Sequence, residues 1–155
     1  MGTFNLRLNR DIKAGLVVLI GFGLVGLLAF AWEARIRVRE RELAEEFRAI
    51  ATEIVDKGMT PRQAIVYSRR SASVKVDVGI SQVGRDANAF KDEDLPVEFD
   101  TADGISFGVR LPSSRLYGTN VYGAVDFENG RATRWEISGL GTIDYRAGKY
   151  SGRRE

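Results

Sequence analysis

The chain has 155 residues, 28% of them charged, with a formal net charge of +2 and neither cysteine nor histidine. That length allows one ordinary domain beside a membrane segment, and interleaved acids and bases leave no basic footprint for nucleic acid. Without thiolate or imidazole there is no disulfide framework, no zinc or soft copper site of the usual kind and no Ser-His-Asp relay, so no metal and no cofactor are expected.

A short N-terminal tail, residues 1–13, carries Arg7, Arg10 and Lys13. The run "AGLVVLIGFGLVGLLAFAW", residues 14–32, has no charge at all. As a helix it spans about 28 Å, close to the hydrocarbon core of a bilayer. Trp32 stands where an interfacial aromatic anchors such a span. Ala29-Phe30-Ala31 also fits a signal-peptidase site. The apolar run exceeds the roughly 7–15 residues usual in a signal peptide, so the sequence favours a retained single-pass anchor. Small residues let a second membrane helix approach closely, which makes Gly21, Gly23 and Gly26 candidate partner contacts; glycine is also simply common in spans. Arg35, Arg37, Arg39 and Arg41 crowd the far side, so counting basic residues does not orient the span.

Residues 33–57 read as an amphipathic stalk helix, with Ile36, Leu43, Phe47, Ile50 and Ile54 on one stripe that would pack on the chain's own domain. No proline separates stalk from span, so one continuous helix is possible. Gly58 ends it in a left-handed cap. "TPRQ" then starts a second helix, with Thr60 as N-cap, Pro61 in the first turn and Gln63 completing a capping box. Ala64, Ile65 and Tyr67 would face the core.

Residues 58–146 form the expected domain. Strands are expected at 72–81, 105–111 and 142–145. Between the first two lies an acidic loop, residues 82–104, without an apolar period; it lacks the calcium-loop spacing and reads as solvated. "VDFENGRATRWEI", residues 125–137, is a hairpin. A two-residue Asn-Gly turn would pair Val125 with Arg134 and mix the two faces. A three-residue loop, Glu128-Asn129-Gly130, keeps them apart by pairing Val125 with Thr133, Gly123 with Trp135 and Val121 with Ile137. In that register Gly123 makes room for the indole of Trp135, a core residue, and Tyr122, Asp126, Arg134 and Glu136 take the wet face. Tyr122 and Arg134 are the candidate partner contacts there. The basic tail, residues 147–155, reads as solvated or as touching an acidic surface. The fold class is α+β: a single transmembrane helix and stalk, then a capped helix on an antiparallel sheet.

That order, closing on "YGTNVYGAVDFENGRATRWEISGLGTIDY", resembles the cytochrome oxidase assembly factor one family, relatives of the twenty-one-kilodalton subunit of the mitochondrial presequence translocase. Gly118, Gly123, Trp135, Ile137 and Leu140 occupy the matching places, within a resemblance covering about residues 45–146; the acidic loop is longer than the family's. The resemblance implies a non-enzymatic assembly factor or accessory subunit of a respiratory membrane complex. It would sit in the inner membrane with its C-terminal domain periplasmic, acting by contacts alone. The alternative is a structural subunit of a cell-envelope machine, such as a pilin-like or secretion component, although the glutamate that pilins carry after their processing glycine is not at that spacing. An enzyme would have to use Asp77, Asp126, Asp144 or Glu136 as a carboxylate pair, where alternating acids on a wet strand face are the ordinary explanation. No glycine-rich phosphate loop opens a helix, so no nucleotide or other small-molecule substrate is evident.

Overall fold

A computed structural model describes residues 10–81, 86–111, 119–139 and 151–153. The chain divides into two units, residues 1–35 and 36–155. The elements are α1 (Arg10–Asp56), α2 (Pro61–Ser71), β1 (Asp77–Ile80), β2 (Gly104–Leu111), β3 (Thr119–Glu128), β4 (Arg131–Gly139) and β5 (Ser151–Arg153). The fold is α+β, as the sequence pattern requires.

In the first unit, every large apolar side chain from Leu16 to Trp32 is more than half exposed. This is one helix long and apolar enough, by length and composition, to cross a membrane. The absence of proline lets α1 run on without a break through the expected stalk.

In the second unit, the stripe of α1 does what its spacing predicts. Leu43, Phe47 and Ile54 are fully buried, Ile50 nearly so, and Ala44 and Ala51 beside them are fully buried too. The Phe47 ring stands edge-on to Phe107 of β2 at 5.5 Å. Gly58, at φ 54°, ends the helix: its amide donates to Val55 O and that of Met59 to Ile54 O, satisfying carbonyls that the last turn leaves open. Thr60 then caps α2 as expected, its hydroxyl accepting from the Gln63 amide while Gln63 Oε1 accepts from the Thr60 amide.

Between β1 and β2 the structure corrects the expectation of a solvated loop. Residues 86–103 hold three short 3-10 turns, and Ala87, Leu95, Phe99 and Ala102 are buried. Phe99 sits edge-on to Phe90 at 5.7 Å. Arg69 of α2 fastens the segment, donating to Ala87 O (2.6 Å), Phe90 O (3.2 Å) and Asp92 Oδ1 (3.1 Å). Arg70 holds the other oxygen of Asp92 at 3.0 Å. Hence Glu93, Asp94 and Glu98 are exposed while Leu95 and Phe99 beside them close the core.

Burial alone would push the Asp92 carboxyl up, but the bonds from Arg69 and then Arg70 outweigh it and hold the group below its ordinary range. A depressed folded value means that the clamp stabilises at neutral pH. That contribution starts to fade as pH falls past the unfolded aspartate value of about 3.9 and is gone below the folded one. Denaturant titrations of wild type and Asp92→Asn should therefore differ most near neutrality and converge in acid. A gap that stays constant would take Asp92 out of the clamp.

The five strands form an antiparallel meander in the order β1-β2-β3-β4-β5. Val78, Ile105, Phe107, Val121, Val125, Phe127, Trp135 and Ile137 line its buried face. The first expected strand is shorter than the pattern suggested, although Val76 before it is buried. Val78, on edge strand β1, donates its amide to Asn88 Oδ1, so the 86–90 segment blunts that edge.

The hairpin is also corrected. Its turn is the two-residue Asn129-Gly130, both with positive φ (53° and 70°), closed by the pair Glu128↔Arg131 and followed by Phe127↔Ala132. A bulge between Asp126 and Phe127 then leaves Thr133 as the extra residue, so Asp126 faces Arg134 and Val125 faces Trp135. The bulge removes the mixing of faces that argued against the short turn. Gly123 thus faces Ile137, and the group it accommodates is the Phe107 ring: an added Cβ would lie 2.7 Å from its Cζ. The glycine beneath the indole of Trp135 is Gly152 of β5, where an added Cβ would fall onto the ring. Part of the expected solvated tail is therefore an edge strand. The strand expected at 142–145, with Gly118, Leu140 and Asp144, lies outside the described residues.

Candidate interaction surfaces

The three candidate glycines of the apolar helix, Gly21, Gly23 and Gly26, have open space where a Cβ would be. At about 100° per residue, Gly23 and Gly26 lie within about 60° of each other, whereas Gly21 is more than about 130° from both. The helix geometry thus brings two of the candidates onto one face and leaves Gly21 off it. Gly15 falls near Gly26, on that same face.

Tyr122 and Arg134 both lie on the exposed face of the sheet. Tyr122 of β3 stands between Gly108 and Ser138; Arg134 of β4 stands between Asp126 and Arg153. Four residues along the strands separate them, roughly 13 Å at the rise of a strand, so they do not form one compact site. Tyr122 borders a shallow depression of about 380 Å³ floored by Gly79 and Gly108. A Cβ at Gly108 would meet Tyr122 Cβ at 2.6 Å and Val121 O at 2.7 Å, so β2 and β3 need a glycine there. Arg134 faces Asp126 directly, a cross-strand pairing of opposite charge.

Among the described residues, none of the carboxylates considered for catalysis stands directly opposite another. Asp77 faces Gly108, Asp126 faces Gly104 and Arg134, and Glu136 faces Ala124 and Ser151. Among the described residues no group of three potential metal ligands is present. A polar cluster joins the two helices: Glu53 accepts from Tyr67 at 2.5 Å and pairs with Lys57 at 2.5 Å, and the ammonium sits 5.8 Å from the Tyr67 ring centre. The bond from Lys57, then that from Tyr67, lowers the Glu53 pKa; the bond to Glu53, then burial, raises that of Tyr67. Both groups move away from neutrality, the reverse of what tunes a residue for proton transfer.

The clamp of Arg69 on Asp92 and the seat of Trp135 on Gly152 are not evident from the sequence. The only signal was the adjacent Arg69-Arg70 at a helix end facing a run of acids. No protein-family model, curated protein or solved structure matches this chain.

Proposed function

We propose that the protein is a non-enzymatic, single-pass membrane protein that acts as an assembly factor or accessory subunit of a respiratory complex of the cytochrome oxidase kind, with its sheet domain in the periplasm. The observation that carries this reading is an exposed apolar helix in the same chain as a small α+β domain whose sheet, among the described residues, leaves Tyr122 and Arg134 on an exposed face. Such a domain offers surface for contacts, and the resemblance in the hairpin region supplies the kind of partner. Membranes from cells lacking the chain should lose the heme difference spectrum of the assembled oxidase, and the full chain should restore it. Unchanged oxidase without the chain would remove the assembly role.

The face shared by Gly23 and Gly26 is the membrane contact in this account. Gly23→Leu with Gly26→Leu is expected to reduce co-purification with the complex about tenfold or more, since close packing is what drives helix association in lipid. Circular dichroism should show the domain still folded. Undiminished co-purification would move the interface to the domain.

A second reading is supported by the unbroken α1, which passes from an apolar stretch into the core of an antiparallel-sheet domain. A pilin-like or secretion scaffold is built in that way. The intact mass separates the two: retention of Met1–Lys13 in the mature protein counts against pilin-type processing.

A further inference from the structure

Along the outer side of α2 runs an open groove of about 980 Å³, bounded by the α1–α2 connection, the start of β4 and the 92–100 segment. It is separate from both surfaces described above. Met59, Val66 and Leu95 give it apolar lining, and its rim carries four cations against two carboxylates, Asp92 and Asp100.

Two of the cations are engaged: Lys57 by Glu53, and Arg70 by Asp92. The other two are under-used. Arg131 donates to a carbonyl, Gly58 O, at 3.0 Å. Arg62 lies 3.7 Å from Asp100, an ion pair too long to be a hydrogen bond, and Arg62 Nε and Asp100 Oδ1 are both buried with no hydrogen-bond partner. A guanidinium offers five donors, and a buried one left unsatisfied costs stability. The Arg62 side chain is 35% exposed, so its outer nitrogens, of which Nη1 stands 3.7 Å from Asp100 Oδ2, can take a ligand carboxylate.

We propose that this groove binds an extended segment of a partner protein in which apolar side chains alternate with carboxylates. The apolar side chains would lie over Met59, Val66 and Leu95, and the carboxylates would reach Arg62 and Arg131. A compact anion fits the groove less well, because its cations are strung along a rim with apolar surface between them. The proposal goes beyond the respiratory reading and stands or falls without it.

The test uses the full chain in nanodiscs of neutral phospholipid and a short fluorescein-labelled peptide alternating leucine and glutamate, followed by anisotropy. This peptide should bind at least about tenfold more tightly than its leucine–lysine counterpart, and Arg62→Glu with Arg131→Glu should weaken it by about tenfold or more. Absence of binding, equal binding of the two peptides, or full binding by the charge-reversed chain would overturn the proposal. Should the double variant fail to fold, a photo-reactive leucine–glutamate peptide on wild type decides. Adducts within 57–71 or 92–100 support the groove, and adducts on the exposed face of the sheet overturn it.

Discussion

Trp135→Ala is expected to lower the stability of the domain by about 3–5 kcal/mol, the usual cost of deleting a large buried aromatic. Trp135 is 7% exposed, packs in the core beside Val125 and Ile137, and covers Gly152. Its removal therefore opens a cavity and also takes away the surface on which β5 lies. Denaturant unfolding followed by circular dichroism measures the loss. Gly152→Val approaches the same contact from the other side, since a side chain there collides with the indole. In a Trp32→Phe background, which leaves Trp135 as the only tryptophan, it should shift the emission to the red. A Trp135→Ala protein that melts like wild type but no longer holds its partner would make Trp135 a binding residue instead.

Arg69→Ala is expected to cost about 2–4 kcal/mol, because charge-assisted bonds are lost and part-buried acceptors are stranded together. The guanidinium holds the carbonyls of Ala87 and Phe90 as well as Asp92, and its side chain is only 17% exposed. Residues 86–102 should become the first site of proteolysis, since Leu95 and Phe99 keep their places only while the segment stays clamped. Arg69→Lys should recover little, because an ammonium has no planar fork to span those acceptors. Arg70→Ala should cost much less, its side chain being 71% exposed. Equal losses at the two arginines would contradict the clamp.

How far the sequence could be read follows from the range of the forces involved. The helices were legible because their signals are local. An apolar stripe at helical spacing, a glycine cap and Thr60 with Gln63 each act within a turn or two, and all three are present where expected. The strand faces were legible for the same reason, apart from Thr133, which the bulge displaces in favour of Ala132. Register is less local. A bulge next to a type I′ turn gives nearly the same alternation as a longer loop, so the pattern could not separate them. The acidic segment was misread because its order comes from Arg69, which is 23 residues from Asp92. β5 has too few residues to show a period, and its docking depends on a glycine fitting under an indole. For the interaction surfaces, the wet-face placement of Tyr122 and Arg134 followed from alternation, but their separation needed the strand register.

The central claim is that this chain works by holding subunits of a respiratory complex. Its most direct test is purification of the full chain in mild detergent, with mass spectrometry and a heme absorption spectrum of what accompanies it. The account predicts oxidase or related respiratory subunits together with heme bands. Envelope-scaffold subunits and no heme would contradict it, and would make the pilin-like or secretion reading the better one.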